Sequence, residues 1–446
     1  MKDFRTFLQD HFTSFRAILL SFLSLIFIGA FLLCLPVCSA SGRSTPFPDA
    51  LFTATSAVCV TGLVVCDTAA SWSVFGKCVL LFLIQIGGLG VMTIAVAVFV
   101  LTGQRISILQ RSTMRDSISA PQIGGIVRLT GFILKVTLLI EAIGTVLLSF
   151  VFIPRYGMMT GVGYALFHSV SAFCNAGFDL MGTNAPYASL TAYAANIPVN
   201  LIIIALIICG GLGFLTWQDL LQNRFHFHRL RLQTKIILTT TLCLILFPFV
   251  ILFFFEFTDV PVKERILLSL FQSVTPRTAG FNTYDYAAMS ENSLLMTILL
   301  MLIGGAPGSA AGGMKVTTFY VVVASAFSSM RQNDDVNCFM RRLDPATVRN
   351  AHTLLFLYLF LLIAGAYTIA AKEHLPIIRT LFECASALGT VGLTTGITPG
   401  LSHLSRAILI LFMYFGRVGG LTLAYASVSG IRVRTSRYPM EKISVG

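Results

Sequence analysis

The chain has 446 residues, 56% of them hydrophobic and 11% charged, with a formal net charge of +12. A water-soluble domain carries about 25% charged residues, so water is not the only solvent of this chain. Most of its 31 Lys and Arg gather in five segments (2–16, 105–128, 224–235, 331–349 and 432–442) between long apolar runs, which is the positive-inside pattern of a membrane protein with both termini cytoplasmic and argues against a nucleic-acid partner. Anionic membrane lipids are the expected partners of the remaining basic charge.

The apolar runs fall at 17–36, 75–102, 126–153, 197–221, 234–257, 293–330 (interrupted), 352–371 and 404–428. A helix crosses a bilayer in about 20 residues, so the chain reads as an all-α polytopic membrane protein of eight spans. The first run follows Arg16 and ends near Cys38, but it is longer than the about 7–15 residues of a signal-peptide core and reads as a span. Between spans 1 and 2, 3 and 4, 5 and 6, and 7 and 8 lie shorter apolar stretches, too short to cross. They begin at Leu51, Leu166, Leu270 and Leu381 and read LFTATSAVCVTGL, LFHSVSAFCNAGF, LFQSVTPRTAGF and LFECASALGTVGL. Each holds a Phe (Phe52, Phe167, Phe271, Phe382) and ends on a Gly (Gly62, Gly177, Gly280, Gly392) followed by Leu or Phe. The span after each carries a second small-residue landmark, at Gly87, Gly210, Gly304 and Gly416. Two landmarks in register define a repeated unit: 1–103, 104–225, 226–346 and 347–446.

Irregular backbone survives at membrane depth only where protein buries it or water lines it. Four re-entrant Gly loops meeting on one axis would aim carbonyl oxygens at that axis and replace an ion's hydration shell. Glycine supplies the dihedrals without a Cβ penalty, and the short helix before each loop points its negative end at the same place. No loop has a carboxylate in the three residues ending at its Gly, which suits a monovalent rather than a divalent cation.

These loops, the GGLG spans and the run GGAPGSAAGGMK from Gly304 to Lys315 resemble the Trk/Ktr/HKT superfamily of potassium transporters, over nearly the whole chain. Eight spans are most like the membrane subunit of the Ktr branch. The resemblance implies four helix–pore loop–helix repeats around a pseudo-fourfold pore. It implies a K+ selectivity filter from Val60, Thr61 and Gly62; Asn175, Ala176 and Gly177; Thr278, Ala279 and Gly280; and Thr390, Val391 and Gly392. It also implies a gate below the filter, made of Gly304, Gly305, Ala306, Pro307, Gly308, Ser309, Ala310, Ala311, Gly312 and Gly313, with Arg417 as its contact and electrostatic barrier. The residues agree in part: a Gly/Ala/Ser run with Pro307 makes a poor helix and has few bulky side chains to pack, so its movement is expected to be cheap. Uptake through a multi-pass protein of the plasma membrane, activation by Na+, a homodimer and a KtrA-like cytosolic ring that binds the nucleotide are further implications; no nucleotide site is expected in this chain.

Arg277 precedes loop 3 and is expected to pair with Glu383 or Asp179. Lys135 and Glu141, six apart in span 3, share no helix face and have no assigned role. The ten cysteines are scattered without a CxxC and read as buried thiols; whether Cys38 and Cys66 pair stays open. An alternating-access cation symporter is the rival reading, because the interrupted sixth run suits a broken-helix site. The dispersed His residues offer no catalytic constellation, so an enzyme is not expected.

Overall fold

Apolar runs of this length satisfy their backbone inside a membrane by coiling, and the computed structural model is predominantly helical over the residues it describes, 14–102, 108–117, 124–182, 186–420 and 441. The chain opens with α1 (Ser14–Cys34) and the short α2 (Phe47–Val58), then returns in two pieces, α3 (Val74–Leu89) and α4 (Val91–Leu101). After α5 (Ile108–Ser117) come α6 (Ile126–Tyr156), the short α7 (Met158–Phe173), and a second pair, α8 (Ile197–Gly211) and α9 (Phe214–Gln222). Next are α10 (Leu232–Ile251, prolonged by a π-helical turn Leu252–Glu256), α11 (Val262–Val274), α12 (Glu291–Leu302) and α13 (Val316–Met330). A small hairpin, β1 (Asn337–Cys338) with β2 (Arg341–Arg342), leads to α14 (Pro345–Glu373), α15 (Ile377–Gly389) and α16 (His403–Val418).

Among the described residues four helices are long and apolar enough to cross a membrane, or up to six if each bent pair is one span. The second runs at 75–102 and 197–221 are not the straight spans the sequence suggests. They bend by 93° and 92° at Gly90 and Gly213, whose φ values are 87° and 88°. α16 stops at Gly419, φ 92°. A left-handed φ cannot continue a right-handed helix, and Gly adopts it without strain. So the interruption of the 293–330 run is one of several breaks. The part of the last run beyond residue 420 and the basic residues Arg432, Arg434, Arg437 and Lys442 of the tail lie outside the described residues, as do Lys2 and Arg5.

Pro46, Pro261 and Pro376 precede α2, α11 and α15, where the fixed proline φ favours a helix start. The matched Phe52, Phe167, Phe271 and Phe382 are buried core residues. Outer helices are inside-out: on α6, Leu138, Leu139, Ile143 and Phe150 are exposed while Thr137, Glu141, Leu148 and Phe152 are buried, as expected when lipid is the solvent. The small-residue landmarks permit close approach. A Cβ on Gly87, Gly210 or Gly416 would collide with the carbonyl of Val58, Phe173 or Leu388, at or near the C-terminal end of the short helix in the same unit.

Candidate functional site

The four Gly loops leave the C-terminal ends of α2, α7, α11 and α15 and meet in a ring. A Cβ on Gly62 would lie 2.5 Å from the Ala176 oxygen, and one on Gly177 would lie 2.8 Å from the Gly280 Cα. Gly280 faces the Val391 oxygen in the same way, and Gly392 faces the Thr61 oxygen. The ring therefore closes in chain order, loop 1 to 2 to 3 to 4 and back to 1. In each loop the first residue (Val60, Asn175, Thr278, Thr390) has φ between 52° and 71°, and the Gly has φ between 67° and 94°. Positive φ on either side of an ordinary residue turns successive carbonyls to one side, where a strand would alternate them.

The N–H groups point the other way, into the helix that each loop leaves. Thr61 N donates to Ser56 O at 2.8 Å, Ala176 N to Ser171 O at 2.8 Å, Ala279 N to Thr275 O at 3.0 Å and Val391 N to Ser386 O at 2.8 Å. The hydroxyls at the same four positions hold the far end of the loop. Ser56 Oγ and Ser386 Oγ accept from Gly62 N and Gly392 N, both at 3.0 Å, while Ser171 and Thr275 donate to Phe178 O and Phe281 O. Sequence reading passed over this Ser/Thr, although it recurs in all four segments. Among the described residues, no carbonyl of the ring residues accepts a hydrogen bond, and these residues are buried. A buried unpaired carbonyl costs about 1–3 kcal/mol. A ring of them would cancel the about 5–15 kcal/mol that holds a domain folded, unless a cation or water meets them.

The 304–313 segment joins α12 to α13 and packs under loop 4. A Cβ on Gly313 would lie 2.9 Å from Gly389 O, and one on Gly312 would strike Thr390. It is not loosely held, as its small side chains suggest. Its backbone is tied to its neighbours: Ala306 N to Gly211 O (2.9 Å), Ala310 N to Gly210 O (3.3 Å), Phe214 N to Gly308 O (2.9 Å) and Gly313 N to Gly416 O (3.1 Å). Small residues here let backbone meet backbone, which bulky side chains would prevent. Arg417 donates to Ala310 O and reaches across to Gly87 O and Gly88 O; it forms no salt bridge among the described residues. Lys315, which the sequence did not single out, donates to Ala311 O at 2.7 Å. A cavity of about 230 Å³ lies against this segment, lined by Ser309, Ala311, Lys315, Gly90, Tyr358 and Arg417 among others.

Other expectations are corrected. Arg277 pairs with neither Glu383 nor Asp179. Its guanidinium reaches Thr241 Oγ1 at 3.3 Å, while Glu383 is taken by Thr394, Thr395 and Thr398; Arg277, just past the end of α11, reaches α10 instead. Glu141 accepts from Gln85 Nε2 at 3.2 Å and lies 3.9 Å from the Cys174 thiol, behind loop 2. Cys38 and Cys66 are both free thiols. No group of three or more His, Cys, Asp or Glu that could hold a metal occurs among the described residues.

Comparison with known proteins decides the family. The family model described as TrkH, cation transport protein, matches residues 9–430. The chain belongs to the TrkH family. Within reach of this family, it is 39% identical over 439 residues to the potassium/sodium uptake protein NtpJ of Enterococcus hirae, covering 95% of each chain. It is 37% identical over 441 residues to the Ktr system potassium uptake protein B of Bacillus subtilis, covering 98% of this chain and 97% of that one. The crystal structure of the potassium transporter TrkH from Vibrio parahaemolyticus shares the fold, with a TM-score of 0.71 at 19% identity over 92% of this chain and 84% of that one. Membership of the TrkH family makes this a multi-pass membrane ion transporter and not an enzyme.

Proposed function

We propose that the chain takes up potassium across the plasma membrane through the ring of four Gly loops. The observation that carries the reading is the closed ring of buried carbonyls that no donor among the described residues meets, which is the electrostatic complement of a dehydrated monovalent cation. Val60–Gly62, Asn175–Gly177, Thr278–Gly280 and Thr390–Gly392 are the filter of a pseudo-fourfold pore built from the four units bounded at 103, 225 and 346, with eight membrane passages and both termini cytoplasmic. Residues 304–313, with Arg417 and Lys315, are the gate. The membrane potential drives entry, at about 2.3 kcal/mol per charge per 100 mV.

Sodium activation, a homodimer and control by a nucleotide-binding cytosolic ring belong to the same proposal; the similarity to protein B of a Ktr system supports a multi-component system. The test is 86Rb+ flux into liposomes holding the purified protein, with Na+ as competitor. Potassium-selective flux that grows when residues 306–311 are deleted supports a gated pore. Flux that saturates with strict coupling to a second ion favours the alternating-access symporter and overturns it.

A further inference from the structure

One register position in the short helices, the residue directly after the buried Phe, does the same job with different chemistry in three of the four units. It is Thr53 in α2, His168 in α7, Gln272 in α11 and Glu383 in α15, all buried to 1% exposure or less. His168 Nδ1 bonds Tyr164 O at 2.7 Å, which leaves Nε2 as the acceptor for Leu180 N at 3.4 Å. Glu383 Oε1 accepts from Thr395 N at 2.9 Å. Leu180 and Thr395 stand at the same place, three residues past the loop Gly. Glu383 Oε2 also accepts from Thr398 Oγ1 at 2.6 Å, and Gln272 Oε1 accepts from the Tyr286 hydroxyl. Thr398 and Tyr286 again match, six past the Gly. Thr394 Oγ1 adds a further bond to Glu383 at 2.6 Å and Thr395 Oγ1 another at 3.3 Å. Thr53 is too short to reach; its hydroxyl donates to Asp49 O in its own helix. Loop 1 is braced instead from outside, where Asp67 accepts from Tyr187 N at 2.8 Å.

We propose that His168, Gln272 and Glu383 are positioning residues that fix the outer end of their own Gly loops, and that Glu383, with its four donors on residues 394–398, sets the K+/Na+ selectivity of the ring. This rests on the reading of the loops as a filter. The Ser/Thr at 56, 171, 275 and 386 holds each loop up to or just past the Gly; the post-Phe residue holds the stretch beyond it. Loops 2, 3 and 4 are thus fixed at both ends, and the spacing of their carbonyls is set by the helix between them. Loosening the outer end lets the carbonyls close on a smaller ion. The bond, rather than the negative charge, does this work, because repeat 3 uses a neutral amide at the same position.

The experiment compares K+ (as 86Rb+) and Na+ flux in liposomes for the full chain and for Glu383→Ala, Glu383→Gln, Thr398→Val and Gly392→Ser. Glu383→Ala is expected to lower the K+/Na+ ratio about tenfold, the loss of hydrogen bonds to a charged group. Glu383→Gln keeps an acceptor for Thr395 N and a donor for the Thr398 hydroxyl, and is expected to stay within about threefold of the parent. Thr398→Val removes one hydroxyl from the set and is expected to fall between them. A parental ratio in monodisperse Glu383→Ala protein overturns the proposal. So does a Glu383→Gln loss as deep as that of alanine, which would assign the effect to charge. Should the alanine variant not fold, an unchanged ratio in Thr398→Val overturns it. If Gly392→Ser also leaves the ratio unchanged, the filter reading itself fails; if Gly392→Ser shifts it and the Glu383 and Thr398 variants do not, only the positioning role fails.

Discussion

Two stretches of irregular backbone lie buried in this transporter, and they treat their carbonyls in opposite ways. Each of the four Gly loops commits the N–H of its middle residue to the helix it leaves, and among the described residues none of the ring carbonyls accepts a hydrogen bond. In the 304–313 segment the oxygens of Gly305, Ala306, Gly308, Ala310 and Ala311 are all taken. Two of those donors are cations, Arg417 on Ala310 and Lys315 on Ala311. On the proposed reading, irregular backbone is prepared for an ion in one place and refused to it in the other: a potassium ion leaving the ring would meet carbonyls already bound to protein charge, and the barrier would be electrostatic as well as steric.

The comparison breaks most sharply if the segment is removed. Deleting residues 306–311 takes away both the plug and the backbone bonds that hold it, each worth about 0.5–1.5 kcal/mol; 86Rb+ flux is expected to rise about a hundredfold, and unchanged flux would place the barrier elsewhere. Next is Gly392→Ser. A side chain at φ 93° would strike Thr61 O, and the K+/Na+ flux ratio is expected to fall about tenfold or more, with thermal unfolding followed in parallel to separate selectivity from stability. Arg417→Ala takes the guanidinium off three carbonyls at once and should raise flux about tenfold. Arg417→Lys, with a single ammonium in place of the fork, should fall short of that, and equal flux in the two variants would make the fork irrelevant. Lys315→Gln keeps a donor for Ala311 O while removing the charge, so a rise of about threefold in flux would isolate the electrostatic part of the barrier. The smallest effect is expected for Ser171→Ala, which deletes one hydroxyl bond to Phe178 O: a loss of about 1 kcal/mol in stability, read by thermal melting, with selectivity little changed.

The helical membrane architecture and the family were legible in the sequence because they rest on local pattern: long apolar runs, matched Phe and Gly, and small-residue landmarks. The matched Gly segments pointed to the ring, whereas the pairing of the 304–313 segment with Arg417 came from the resemblance to the family. What could not be read were contacts between elements far apart in the chain. Gln85 in α3 and Glu141 in α6 meet Cys174 at the start of loop 2, and no periodicity links them. The bends at Gly90 and Gly213 were missed for a different reason. The last Gly of GGLG looks like the first two, yet the first allows a close approach to a carbonyl while the last takes a left-handed φ. Composition does not tell those uses apart. The anchoring roles of Ser56, Ser171, Thr275 and Ser386 were present in the alignment of the four segments but were overshadowed by the Gly beside them.

The ring is made by one polypeptide, and that has a genetic consequence. In a channel assembled from identical subunits, a substitution in the filter appears four times at once and any asymmetry is forbidden. Here a single codon change alters one quarter of the ring and leaves three quarters intact. Val-Thr-Gly, Asn-Ala-Gly, Thr-Ala-Gly and Thr-Val-Gly can each drift alone, and on the proposed reading of the ring as a filter, small steps in ion preference become accessible by single mutations.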